Sequence, residues 1–162
     1  MVINILKMSK VIVTGGLGYI GSHTSISLID QGHEVVIFDD LSNASEKTLN
    51  RIFKITGIRP YFFKVDLRNK KAALEAFAQH KDVETVIHFA AYKAVKESFD
   101  KPLSYYENNL FALVNVLQAQ KTFGIKNFIF SSSATVYGNP ESLPMNENSA
   151  VKRPFSPYGN TK

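Results

Sequence analysis

An α/β fold built on a doubly wound parallel sheet is what this sequence predicts, and two observations carry the prediction. Short apolar runs rich in Val, Ile and Phe alternate with stretches of helical periodicity along the chain, in the order βαβαβαβαβ. The first run opens directly into a glycine-rich turn, Gly15-Gly16-Leu17-Gly18-Tyr19-Ile20-Gly21, that leads into a helical pattern. Right-handed crossovers from a first strand carrying that turn give the strand order 3-2-1-4-5, with a crevice beside strand one at the carboxyl ends of the strands.

Each element has a local reason. Val11 to Thr14 is a short β-branched strand, and Tyr19 to Asp30 reads as a helix with Ile20, Ile26, Leu28 and Ile29 available for burial, ended by Gly32. Val35 to Phe38 forms the second strand. Leu49, Ile52 and Phe53 mark an i, i+3, i+4 stripe on the next helix, and Pro60 to Val65 is the third strand. A third helix runs through Leu74 and Phe77, and Thr85 to Phe89 is the fourth strand. Leu103 to Phe123 reads as one long helix carrying Leu110, Leu113, Val114 and Leu117, and Asn127 to Ser131 is the fifth strand. Beyond Ser133, Gly138, Pro140, Pro144, Pro154 and Pro157 punctuate a polar loop. Ser156 and Pro157 then start a helix, a hydroxyl cap followed by a fixed φ at the first helical position.

Composition narrows the function classes. The 162 residues, 44% apolar and 20% charged, amount to one soluble domain with one sizeable core. No apolar run approaches the roughly 18 residues of a membrane span, and Met1 to Ser9 lacks the layout of a secretory signal, so the cytoplasm is the default compartment. Met8 offers an alternative start that would leave Met1 to Lys7 as a dispensable extension. Without Cys there is no disulfide framework, thiolate chemistry or Cys-type zinc site. The net charge of +5 favours anionic partners. Its Lys and Arg are scattered and no nucleic-acid-binding motif accompanies them, so a nucleotide cofactor fits better than a nucleic acid.

The glycine turn is the cofactor signal. Gly16-x-Gly18-x-x-Gly21, between a strand and a helix, meets the dinucleotide fingerprint, and Gly15-x-x-Gly18-x-x-Gly21 meets its variant spacing. Phosphate needs a tight turn, a backbone without Cβ at closest approach, and a helix N-terminus with free N–H groups. Asp39, about twenty residues on at the end of strand two, can accept hydrogen bonds from ribose hydroxyls and repel a 2′-phosphate. With Asp40 beside it and no Arg near the glycines, NAD is favoured over NADP. Asp66, after strand three, reads equally as an adenine contact or as the N-cap of the following helix.

The chemical signal is Tyr158-x-x-x-Lys162. At i and i+4 the two share a helix face. A phenol is mostly protonated at neutral pH, so Tyr158 needs the Lys162 ammonium nearby to act as a base. Ser133, ending strand five, would hold a substrate hydroxyl. The pattern is weak alone and strong in this strand context.

Thr14 to Thr24, Val86-Ile-His-Phe-Ala-Ala91, Tyr105-Tyr-Glu-Asn-Asn109, Asn127 to Gly138 and Ser156 to Lys162 together resemble the UDP-glucose 4-epimerase family of the extended short-chain dehydrogenases/reductases. The resemblance runs from about Lys10 to the last residue. It implies that Gly15, Gly18, Tyr19, Ile20 and Gly21, with Asp39, Asp40, Asn43, Asp66, Leu67, Phe89, Ala90, Lys93 and Asn108, face NAD, and that Ser133, Tyr158 and Lys162 carry the chemistry. The implied reaction oxidises C4 of a UDP-hexose to a 4-keto sugar, which rotates and is reduced on its other face. Ala91 departs from the family pattern, in which Gly is common there. A dehydratase would want Thr-Asp-Glu where this chain has Ser133-Ala134-Thr135, and other UDP-hexose or UDP-uronate epimerases remain open.

Family members continue for roughly as many residues again, so residues 1–162 are expected to form an NAD-binding Rossmann domain without its substrate domain. On that expectation the segment alone has negligible epimerase activity, Tyr158 and Lys162 sit frayed on a helix too short to hold itself, the flank of strand five is an association surface, and the complete enzyme is a homodimer. The competing reading is a non-catalytic NAD-binding module.

Overall fold

The computed structural model describes residues 8–162, so the proposed Met1 to Lys7 extension lies outside the described residues. Five parallel strands, β1 (Lys10–Thr14), β2 (Glu34–Asp39), β3 (Tyr61–Lys64), β4 (Thr85–His88) and β5 (Asn127–Phe130), form one sheet in the order β3-β2-β1-β4-β5. This is the Rossmann-like arrangement the glycine turn implies. The central strand is the most deeply buried, with Val11, Ile12 and Val13 each 3% exposed or less.

Alternation along the strands divides the core in two. Ile12, Val36, Phe38 and Val86 point to one face, where α3 (Lys70–Ala78) and α6 (Ala112–Phe123) bring Ala73, Ala76, Phe77, Val116 and Ala119. Val11, Val13, Val35, Ile37 and Ile87 point to the other, against α1 (Tyr19–Asp30) and α2 (Lys47–Thr56) through Ile29, Leu49 and Ile52. Burying each large apolar side chain contributes roughly 1.5–3 kcal/mol. Truncating the central Ile12 to Ala would cost about 2–5 kcal/mol. Phe38 meets Phe77 edge-on at 5.1 Å, which fixes how α3 lies on β2.

Several helical expectations change. Ile20 and Phe53 are exposed, because Ile20 lies in the first turn of α1 over the crevice and the buried stripe of α2 is Leu49 and Ile52. The long helix is interrupted. Preceded by a short α4 (Val95–Asp100), it starts as α5 (Pro102–Tyr106), widens into a π-helical turn (Glu107–Phe111), and resumes as α6. Val114 and Leu117 face outward, while the buried face carries Asn108, Asn109, Ala112, Asn115, Val116 and Ala119. Apolar periodicity pointed to the wrong side because buried amides satisfy loop backbone on the right one. The polar loop contains a 3₁₀ turn (Ala134–Tyr137) and ends in α7 (Pro157–Asn160). No helix among the described residues is long and apolar enough to cross a membrane.

Candidate active site

The carboxyl ends of β1, β2, β4 and β5 open onto one cavity of about 480 Å³. At its floor the chain leaves β1 through Gly15, whose φ of 66° is left-handed and whose missing Cβ would lie 2.7 Å from the Ala90 nitrogen. Any side chain there would push β1 and the end of β4 apart. Gly18 precedes α1, which has no side-chain cap and no acidic residue in its first turn. The free N–H groups and dipole of that end face the cavity. The residues therefore fit a pyrophosphate: the helix end is uncapped and the cradle has no Cβ to fill it.

Asp39 has a role the sequence did not reveal. Its carboxylate accepts from the Leu17 N–H at 3.1 Å and from the Leu41 N–H at 2.9 Å, tying the glycine loop to the end of β2. It also holds Leu41 at a φ of 64°, a conformation that costs a non-glycine residue about 1–2 kcal/mol. Burial raises the Asp39 pKa above the usual carboxylate value, opposed by the two backbone donors. Asp66 does not cap α3; Asn69 does, accepting from Ala72 N at 3.1 Å. The Asp66 carboxylate is instead gripped by Arg68, at 2.9 Å from Nε and 2.8 Å from Nη2, which lowers its pKa. Asp40, Asn43, Leu67, Phe89, Ala90, Lys93 and Asn108 complete this wall with Tyr19, Ile20 and Gly21.

Ser133, Tyr158 and Lys162 line the opposite end of the same cavity. The Ser133 hydroxyl accepts from Thr135 N at 3.3 Å and from Thr135 Oγ1 at 3.0 Å. With its lone pairs engaged, its own hydrogen is left to donate elsewhere. Tyr158 is buried. Lys162 donates from Nζ to the Ser131 carbonyl at 2.9 Å and sits 5.0 Å from the Phe130 ring centroid, and burial lowers its pKa. Ala91 also lines the cavity.

The expected fraying of Tyr158 and Lys162 is not what the structure has. Propensity alone leaves so short a helix marginal, but α7 is held by tertiary bonds. Ser156 Oγ caps Gly159 N at 3.0 Å, Asn160 donates to the Tyr106 hydroxyl at 3.2 Å, and Asn109 donates to Thr161 Oγ1 at 2.8 Å. A side chain at Gly159 would meet Pro154 at 2.6 Å, so glycine lets α7 seat closely.

Sequence reasoning missed Arg68, Asn109, Ser131, Thr161 and His88. Adjacent asparagines inside an apolar helical stretch were the available signal for Asn109. His88 is buried at the end of β4, its Nδ1 2.7 Å from the Thr14 hydroxyl, which also accepts from Ala90 N at 3.4 Å. Burial, with the Lys162 charge, pushes its pKa down to about 3, so the ring is neutral.

A family model described as GDP-mannose 4,6 dehydratase matches residues 12–162. The chain belongs to the GDP-mannose 4,6 dehydratase family. Within that family it is similar to epimerases: it is 47% identical over 152 residues to a UDP-glucose 4-epimerase of Bacillus subtilis, covering 94% of this chain and 44% of the relative. A Schizosaccharomyces pombe UDP-glucose 4-epimerase is 46% identical over 156 residues, covering 94% and 43%. Among solved structures, the Bifidobacterium longum UDP-glucose 4-epimerase in complex with NAD+ and UDP superposes with a TM-score of 0.92 at 41% identity, covering 95% of this chain and 46% of that one. The chain thus spans under half the length of these relatives. After β5 the chain reads Ser133-Ala134-Thr135.

Proposed function

We propose that this chain is the NAD-binding part of an enzyme that interconverts UDP-glucose and UDP-galactose by oxidation and re-reduction at C4. The observation that carries the reading is that Tyr158, Lys162 and Ser133 share one cavity with the glycine turn and Asp39. The uncapped start of α1 would receive the pyrophosphate, Asp39 the adenosine ribose, and Asp66, Asn43, Lys93 and Asn108 the flanks. NAD, when bound, supplies a two-electron acceptor that takes up and returns hydride. Tyr158 would take the proton of the C4 hydroxyl, Lys162 would stabilise the resulting phenolate, and Ser133 would donate to the sugar oxygen. A buried ammonium one helical turn from a phenol favours the ionised phenol most where water is excluded.

We place residues 1–162 in one domain, with hexose-discriminating groups elsewhere, and assign the protein to the cytoplasm as a homodimer when complete. The exposed Phe111 at the end of the π-helical turn, Val114 and Leu117 on α6 and the outer flank of β5 at Ile129 supply apolar surface for association. Sedimentation of the chain at high concentration tests this, a clean monomer counting against it.

Two measurements test the function. Calorimetric titration with NAD should give saturable binding that Gly18→Val and Asp39→Ala abolish; no binding to the folded wild type rejects the cofactor assignment. A chimera joining this chain to the substrate-binding portion of the Bacillus subtilis relative should convert UDP-galactose and lose conversion in Tyr158→Phe. Turnover confined to a UDP-uronate would remove the glucose assignment.

A further inference from the structure

The formal charge of +5 is concentrated in one part of the fold. From Lys47 to Lys64 the chain carries Lys47, Arg51, Lys54, Arg59 and Lys64 and no Asp or Glu, which leaves fourteen basic and fourteen acidic residues elsewhere. That segment is α2, the turn after it and the edge strand β3. All five cations are exposed and none has a carboxylate partner; Arg59 donates only to Asn50 Oδ1, at 3.1 Å. Lys10, whose Nζ lies 5.7 Å from the Tyr61 ring centroid, already takes up Glu34 at 3.0 Å and Asp82 at 3.2 Å. Large apolar side chains stand among these charges: Phe53 is 47% exposed, Ile55 64%, Ile58 56% and Tyr61 59%. Single exposed apolar residues are ordinary on a surface. Four within nine positions of an uncompensated cationic segment are not.

On α2 the cations Lys47, Arg51 and Lys54 recur at i, i+4 and i+7 and form one outward stripe, opposite the buried Leu49 and Ile52. Phe53 and Ile55 flank that stripe on its two sides. The face is therefore a convex ridge, cationic along its crest and apolar on its shoulders, and none of these residues lines the cofactor cavity. We infer that this ridge docks on an anionic phospholipid surface, its cations meeting the headgroups while Phe53, Ile55, Ile58 and Tyr61 enter the boundary between headgroups and acyl chains. A second copy of the chain is a poor occupant, because a two-fold contact here would set five uncompensated cations against five. A nucleic acid would use the charges and leave the isoleucines without partners. An acidic polypeptide needs a groove or one flat flank, whereas a bilayer yields around a ridge and wets both shoulders at once. Docking leaves the rest of the molecule free: the cavity opens at the carboxyl ends of the strands, α2 lies along one face of the sheet, and α6 lies on the other. It is independent of the chemistry assigned to the cavity.

The test is co-sedimentation of the folded chain with lipid vesicles. Phosphatidylcholine vesicles containing about 30% phosphatidylserine should bind the chain at low salt, pure phosphatidylcholine should not, and added salt should weaken binding about tenfold. Arg51→Glu with Lys54→Glu should lower the partition by more than about tenfold, and Ile55→Asn with Ile58→Asn by about fivefold. All four positions are exposed, so urea unfolding of both variants should match the wild type. The charge-matched control Lys121→Glu with Lys126→Glu, in α6 and just before β5, should bind nearly as the wild type does. Absence of binding to the anionic vesicles overturns the proposal. So does an equal loss in the control, which would make the effect one of net charge, and so does indifference to the isoleucine substitutions, which would leave a cation patch without insertion. Saturable binding of polyglutamate with none to vesicles assigns the face to an acidic protein and overturns the lipid reading.

Discussion

The two ends of the cavity are built by opposite means. Around Gly15, Gly18 and Gly21 the shape is made by backbone pressed on backbone, and Gly15 N donates to the Phe38 carbonyl at 2.7 Å within the sheet itself. Around Tyr158 and Lys162 it is made by side chains reaching over long sequence separations: Asn109 to Thr161, Tyr106 to Asn160, Lys162 to the Ser131 carbonyl. The first end is a property of the sheet and fails only with it. The second is a set of separate bonds, and its position can be lost while the fold survives.

The largest expected effect comes from the backbone end. At Gly21 an added Cβ would lie 2.8 Å from the Gly16 Cα, with Gly15 O closer still, and neither can yield. Gly21→Ala should cost about 3 kcal/mol or more in urea unfolding and take NAD binding with it. A loss of binding with unchanged stability would show the loop to be softer than the comparison requires.

Next in size is the response to acid, which joins the two ends through the sheet. His88 is held neutral with a pKa of about 3, and burial lowers that of His80 as well. Both folded values lie below the unfolded value near 6.5, so the unfolded chain binds protons first. Stability is therefore complete above about pH 6.5 and falls as pH drops, by up to about 1.4 kcal/mol per unit for His88 down to its folded value near 3, with His80 adding a decline of the same sign. Unfolding free energy measured from pH 7 to 4 should show the decline, and His88→Gln should flatten it. An unchanged slope in that variant would place the linkage elsewhere.

His80 offers a smaller effect of opposite sign. Both ring nitrogens are buried without a hydrogen-bond partner, among Phe38, Phe63 and Tyr61. His80→Phe should stabilise the chain by about 1–2 kcal/mol and lift part of the acid sensitivity. Destabilisation would mean the ring has a partner this packing does not provide.

The smallest effect separates stability from chemistry at the second end. Lys162 is partly buried, and burial lowers its pKa because the ammonium loses hydration in the fold. Lys162→Met should leave stability unchanged or raise it by up to about 1 kcal/mol, while the chimera carrying it loses conversion of UDP-galactose. A clear drop in thermal midpoint would make Lys162 a structural residue first.

How much was legible follows the same division. The glycine turn and the Ser156 cap are read from adjacent residues, because each depends on a local φ, a missing Cβ or one side chain reaching its own neighbours, and the strand order follows from the handedness of the crossovers. The burial of Ile20, Phe53, Val114 and Leu117 was misread, because periodicity reports that a face exists and not which neighbour it meets. Whether Asp66 caps the following helix or faces the cofactor was open for the same reason.

By itself the sequence determined a parallel sheet with a phosphate-ready turn and a Tyr-x-x-x-Lys pair near its end. Those depend on alternation, on glycine's freedom and on fixed spacing, all carried by contiguous residues. Only the tertiary structure decided that Asp39 braces the loop, that the long helix opens into a π turn, and that Asn109 reaches Thr161 across 52 positions. Hydrogen bonds between distant segments form only once packing has brought them together and excluded water, and no local pattern encodes their partners.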